Sequence, residues 1–271
     1  MKVGLGYSYK WITSQLAPFG TKQEVGLGTA KAPAHDFGAM LQIPVVDIIS
    51  KIRRRPLEFN DMVSPLFNLT FGWAERNIGG GVKYGAATQS DPLPRQGVLG
   101  WNFEIGLRSK VNNRPWKFLT FTWAREAEDV LVDVRTFERV PTPGDTVYTN
   151  QYSYRSDLGS VEPWNNLVLG KWNGEIALQK GWEIQFAECL YFRGGSNTDV
   201  GYLVYKTHGA SYHLNGFLKL LASLSIWNPQ DGWGAYILNH FDLQYNSSEY
   251  TSNVNSAING TKFSSINFVL K

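Results

Sequence analysis

Apolar and polar residues alternate along many segments of this sequence, each about ten residues long. The clearest example is FNLTFGWA at 67–74, which places Phe, Leu, Phe and Trp on one face and Asn, Thr, Gly and Ala on the other. A period of two residues predicts a β-strand with two different faces. Nine to eleven such segments are separated by turn-rich stretches, and one of them runs from Trp182 to Phe192 with Cys189 on its polar face. We therefore predict an all-β, antiparallel protein that forms a single domain over residues 1–271.

The composition excludes several other classes of protein. No run of about 18 apolar residues occurs, so the sequence offers no transmembrane helix. The single cysteine, Cys189, excludes an internal disulfide framework and a multi-cysteine zinc site. The net charge of +3 is small and dispersed, so we predict no nucleic-acid partner. The notable features are 10 Trp, 13 Tyr and 15 Phe in a chain with 27 Gly.

Two architectures fit this alternation. In a soluble sandwich the apolar face of each strand packs on a core, whereas in a transmembrane barrel it faces lipid and the other face lines a lumen. The opposite face is rich in Gly, Ser, Thr, Asn and Gln, and the strands are long for a sandwich. Aromatic residues also fall at strand ends, as an interfacial belt requires. They are Trp11, Trp116, Trp123, Trp182 and Tyr245. These details favour the barrel, and the sandwich stays open.

Two segments depart from the strand period. After Pro44, apolar residues follow helical spacing as far as Ile52, and Arg53, Arg54 and Arg55 come next. We predict a short amphipathic helix whose basic end either lies on an anionic membrane surface or is simply solvated. Helical spacing returns from Phe217 to Leu224, which predicts a second short capping helix on the same side of the barrel. The polar stretch from about Arg135 to Trp164 predicts an extended surface loop.

The sequence contains little that indicates chemistry. Arg125, Glu126, Glu128 and Asp129 form the densest charged run, and we interpret it as a charge network in the lumen or at its rim. Paired carboxylates can hydrolyse glycosides, but this run carries no catalytic motif. The four histidines show no metal-ligand spacing, and His208 and His213 are predicted to face opposite sides of a strand. We expect no enzymatic activity, no metal and no cofactor.

Four segments carry a resemblance to a known family. They are HDFGAMLQIPVVDIISKI, SDPLPRQGVLGWNFEIGL, FTWAREAEDVLV and NGTKFSSINFVLK. Together they resemble the PorV/PorQ family of outer-membrane proteins, within the FadL-like β-barrel superfamily. The resemblance implies a barrel of about fourteen strands in the bacterial outer membrane. Some members serve type IX secretion, where they receive cargo proteins and help attach them to the cell surface.

The beginning of the chain departs from that family. The sequence opens on a strand pattern, without the signal peptide and the N-terminal plug that FadL-like proteins carry, so we expect a truncated barrel. The leading hypothesis is a non-enzymatic secretion component whose partners are outer-membrane lipid, cargo proteins and other secretion components. The alternatives are a FadL-like channel for hydrophobic small molecules and a soluble β-rich carbohydrate-binding protein.

Overall fold

A computed structural model gives the fold. It describes residues 1–15, 29–59, 63–83, 90–111, 114–142, 145–155, 158–199, 204–224, 226, 232–252 and 259–270. The first half contains β1 (Lys2–Gln15), β2 (Thr29–Pro44), α1 (Val45–Arg53), β3 (Val63–Gly79), β4 (Val82–Lys83), β5 (Ser90–Asp91), β6 (Gln96–Val111) and β7 (Arg114–Val130). The second half contains β8 (Val132–Thr142), β9 (Asp145–Tyr154), β10 (Ala177–Phe186), β11 (Leu190–Thr198), β12 (Val204–His213), α2 (Leu214–Ser223), α3 (Trp233–His240), β13 (Phe241–Ser252) and β14 (Lys262–Leu270). A π-helical turn spans Pro163–Val168.

Ten of these strands form one antiparallel sheet in the order β1-β2-β3-β6-β7-β10-β11-β12-β13-β14. Each strand therefore pairs with the sheet strand that precedes or follows it along the chain. The hairpins β4–β5 and β8–β9 are separate two-stranded sheets within the connections β3–β6 and β7–β10. The prediction of a mostly antiparallel all-β protein is confirmed. Within the described ranges, β1 and β14 are the two edges of the sheet.

The connections divide between the two ends of the sheet. The helical end carries α1, the C-terminal end of β6, the turn at 187–189 between β10 and β11, and the pair α2 and α3. The hairpin end carries β4–β5 and β8–β9. The two predicted helices are confirmed, and the up-and-down order of the strands places both at one end. The sequence pattern did not predict α3.

Two local predictions were wrong. The stretch from Arg135 to Trp164 is not one extended loop, because β8 and β9 pair from Val132↔Tyr154 to Thr142↔Asp145. The alternation through Trp182 and Phe192 was interpreted as one strand, whereas β10 and β11 are two strands joined by a turn. Ala187 and Glu188 adopt positive φ angles of 52° and 51° in that turn. Cys189 therefore lies in a turn and not on a strand face.

The buried residues form three small clusters instead of one central core. At the hairpin end, Ala30, Ala32 and Ala34 pack with Val82 and Leu93, and Ala127 packs with Val161, Leu167 and Ile176. At the helical end, Trp116, Ala187 and Cys189 pack with Leu220 of α2. In the part of the chain that the structure describes, no helix is long and apolar enough to cross a membrane.

Candidate functional site

The sheet curves around a cavity of about 1600 Å³, and residues of all ten strands line it. We call the face toward this cavity the inner face and the opposite one the outer face. Small residues recur on the inner face, including Gly6, Gly38, Gly72, Gly100, Gly181 and Gly209. At Gly209 the backbone of the next strand is close, because an added Cβ would lie 2.6 Å from the Ser247 carbonyl oxygen. A side chain at position 209 would therefore push β12 and β13 apart.

Charged side chains on the inner face are joined across neighbouring strands. Lys10 Nζ lies 2.8 Å from Asp36 Oδ2, which links β1 to β2. Glu104 on β6 pairs with Lys117 on β7 and also accepts a hydrogen bond from Asn68 on β3. Each of these charges therefore has a partner on a neighbouring strand.

A second inner-face interaction spans three strands. Arg193 Nε donates to Glu183 Oε2 at 2.5 Å, and its Nη1 donates to Ser211 Oγ at 3.2 Å. Arg193 on β11 thereby connects β10 with β12. These contacts tie three neighbouring strands together on the inner face, and no nucleophile is hydrogen-bonded to a base in this group.

The predicted charge run divides between the two faces of β7. Glu126 and Glu128 lie on the inner face, where Glu128 Oε2 is 3.8 Å from Arg76 Nη1. Arg125 lies on the outer face, and its Nη1 donates to the carbonyl oxygens of Leu167 at 3.1 Å and Val168 at 2.7 Å. The structure therefore does not bring the charged run together as one network.

Asp129 is the fourth member of that run and is buried at the hairpin end. Its Oδ2 accepts a hydrogen bond of 2.6 Å from the Ser160 backbone N–H, and its Oδ1 lies 3.2 Å from Arg155 Nη2. Asp129 thus holds the segment that follows β9. This structural role depends on contacts about 30 residues away in sequence, which the local pattern does not show.

The predicted basic run lies at the C-terminal end of α1. Arg53 is the last residue of the helix, and Arg54 takes a left-handed conformation with φ of 54°. The N–H groups of Arg54 and Arg55 donate to the carbonyl oxygens of Lys51 and Ser50, respectively. All three side chains are exposed at the helical end. Contact with a membrane surface stays a prediction for these residues.

The sequence reasoning missed a polar cluster under α2. Asp242 is buried, its Oδ1 accepts from the Asn215 N–H at 3.1 Å, and its Oδ2 lies 3.6 Å from His213 Nδ1. The Tyr191 ring lies 4.4 Å from that of His213. This cluster anchors the first turn of α2 to β13. His208 lies on the opposite face, 3.6 Å from Glu249, so the predicted opposition of the two histidines is confirmed.

The described residues contain no group of three His, Cys, Asp or Glu side chains close enough to hold a metal ion. Cys189 is buried, and this burial raises the pKa of its thiol, which disfavours the reactive thiolate. Neither a protein-family model nor a curated protein matches this chain. The resemblance to the PorV/PorQ family therefore stays a prediction.

Proposed function

We propose that this chain forms the wall of a transmembrane β-barrel in the bacterial outer membrane and acts there as a non-enzymatic component of type IX secretion. The observation that carries the membrane part is the outer face of the sheet. Large apolar side chains are exposed there on each of the ten strands of the large sheet. They include Leu5, Trp11, Phe71, Ile105, Leu119, Ile184, Phe192, Tyr245, Ile266 and Phe268, and we call them the apolar belt.

The exposure of these side chains is too extensive for a surface in water. Leu5 is 84% exposed and Ile266 is 73% exposed, on the two edge strands. Soluble monomers rarely expose apolar patches larger than a few hundred Å². The inner face has the reverse character, with glycines, hydroxyl and amide side chains and paired ions. Apolar outside and polar inside is the arrangement of a membrane barrel.

The position of the apolar belt along each strand also changes steadily across the sheet, relative to the register partners, and this change supports the same proposal. Its centre moves from Tyr7 on β1 to Phe268 on β14, about twelve residues over nine interstrand steps. With about 3.3 Å per residue and about 4.8 Å between strands, a horizontal belt then requires strands tilted by about 40°. Membrane barrels have tilts of about 35–45°.

A position in the membrane requires that the two edge strands of the sheet, β1 and β14, have hydrogen-bonding partners. An unpaired backbone group costs several kcal/mol in lipid, so the outer edges of β1 and β14 must be paired in the membrane. Expression in a Gram-negative host, carbonate extraction and electrophoresis with and without boiling test the proposal. We expect a carbonate-resistant band that shifts on boiling. A soluble protein without a heat shift would overturn the barrel.

The secretion role rests on the resemblance and on the size of the hairpin end. The hairpin β8–β9 forms a sheet of its own at this end, and we propose that cargo protein binds there. Replacing residues 136–150 by Asn-Gly would join Arg135 to Gln151, which are register partners, through a short turn. We expect this variant to insert normally and to lose co-purifying cargo. Retention of the same cargo would contradict the role of the hairpin.

The two alternative functions have less support. A channel for hydrophobic compounds calls for an apolar path, whereas the inner face carries paired ions such as Arg193–Glu183 and Lys10–Asp36. A soluble carbohydrate-binding protein would leave the apolar belt in water. The heat-shift experiment separates this last alternative from the proposal.

A further inference from the structure

The segment 158–176, which follows the hairpin β8–β9, lies against the outer face of the sheet. Its residues Val161, Leu167 and Ile176 are buried against Ala127 of β7. Trp101 Nε1 on β6 donates to the Leu167 carbonyl at 3.1 Å, close to the two carbonyl contacts of Arg125. The segment therefore packs on the outer face of β6 and β7 and does not project away from the sheet. We call it the docked segment.

The docked segment contacts the sheet where the outer-face side chains change from aromatic to cationic. Trp123 on β7 and Trp182 on β10 are register partners in the apolar belt. The next outer-face pair toward the hairpin end is Arg125 and Lys180. Two tryptophans followed by two cations on the outer face are expected where hydrocarbon meets lipid headgroups. The docked segment contacts this cation pair through Arg125.

The docked segment itself presents apolar side chains on a fixed backbone. Trp164, Val168 and Leu169 are 67%, 48% and 49% exposed, respectively. The buried Asn166 holds the backbone beneath them: its Oδ1 accepts from the Glu162 N–H at 2.5 Å and its Nδ2 donates to the Lys171 carbonyl at 2.8 Å. The exposed apolar group therefore lies on a turn that two side-chain hydrogen bonds of Asn166 hold together.

We propose that the docked segment lies in the headgroup layer of the membrane, with Trp164, Val168 and Leu169 inserted among the lipids. The exposed side chains of Lys171 and Lys180 would face the lipid phosphates. Continuity with the apolar belt and the adjacent pair Arg125 and Lys180 favour lipid as the occupant. This inference rests on the proposed membrane function, and it fixes the depth at which the wall sits.

Site-specific fluorescence quenching in lipid vesicles tests the inference. A bimane label is placed by Trp164→Cys, and the vesicles contain lipids with a nitroxide near the headgroup. Ile184→Cys labels the belt on β10, and Ser248→Cys labels the inner face. The native Cys189 is buried and needs no replacement. We expect lipid quenching at positions 164 and 184, and quenching only by aqueous iodide at position 248.

Each other outcome has a distinct meaning. Quenching at position 184 without lipid quenching at position 164 overturns the inference and leaves the barrel intact. If position 164 is then also protected from iodide, a protein surface covers it. Absence of lipid quenching at position 184 overturns the proposed membrane function. Val168→Cys repeats the measurement on the same turn. It shows whether a result at position 164 is caused only by the loss of the Trp164 side chain.

Discussion

Trp123 on β7 and Trp182 on β10 are direct cross-strand partners on the outer face, and Arg125 and Lys180 are the next pair toward the hairpin end. Two indoles are thus followed by two cations within two residues along the outer face of the sheet. This change gives the proposed membrane position a sharp test, because substitutions on either side of it should differ in cost.

The first prediction compares two arginine substitutions on the outer face of β11. Phe192→Arg places a charge within the apolar belt, whereas Ser196→Arg places one in the register row of Lys180. We expect Phe192→Arg to lower the free energy of unfolding in lipid by about 2–4 kcal/mol, and Ser196→Arg by about 0–1 kcal/mol. Guanidinium titration in vesicles measures both. Equal, small costs would indicate that the outer face meets water.

The second prediction concerns the attachment of the docked segment. Asp129→Ala removes a buried acceptor of the Ser160 N–H and the partner of Arg155. We expect a loss of about 1–3 kcal/mol in local stability, because a buried hydrogen-bonded carboxylate is lost. Hydrogen exchange of the Ser160 amide should become faster while exchange within β7 stays unchanged.

Asp133→Ala is the matched control for Asp129→Ala. Asp133 also approaches Arg155, at 3.3 Å from its Nε, but its side chain is 46% exposed. An exposed ion pair contributes less than about 1 kcal/mol, so exchange at Ser160 should hardly change. Similar effects of the two substitutions would show that Arg155, and not the burial of Asp129, attaches the segment.

The strands were predictable because alternation is a local signal, but their boundaries were not. Phe186 and Leu190 are register partners, and three turn residues separate them. An odd number of turn residues preserves the period of two, so the alternation continues unbroken across the hairpin. The same pattern therefore fits one strand or two. Only the positive φ angles of Ala187 and Glu188 mark the turn, and neither residue type indicates it.

The candidate site was less predictable than the sheet. The spacing of Arg125, Glu126, Glu128 and Asp129 assigns each residue to a face, but their partners Leu167, Arg76 and Ser160 lie 31–52 residues away in the chain. Nothing local in the sequence indicates that a segment after a hairpin folds back onto the wall. Long-range docking of this kind depends on tertiary packing, which periodicity does not report.

The last prediction concerns the contact between α2 and the turn at 187–189. Gly216 lies so close to this turn that an added Cβ would be 1.9 Å from the Glu188 carbonyl oxygen. Gly216→Ala must therefore move α2 away, at a cost of about 1–3 kcal/mol, and expose the neighbouring Cys189.

Alkylation of Cys189 measures this exposure. In the wild-type protein, burial raises the pKa of the Cys189 thiol, so alkylation should be slow. Its rate should keep rising with pH where the alkylation rate of a free thiol no longer increases. We expect about tenfold faster alkylation in the variant. Gly80→Ala, which has open space around the added Cβ, should leave the rate unchanged. An unchanged rate in Gly216→Ala would show that α2 does not shield the turn.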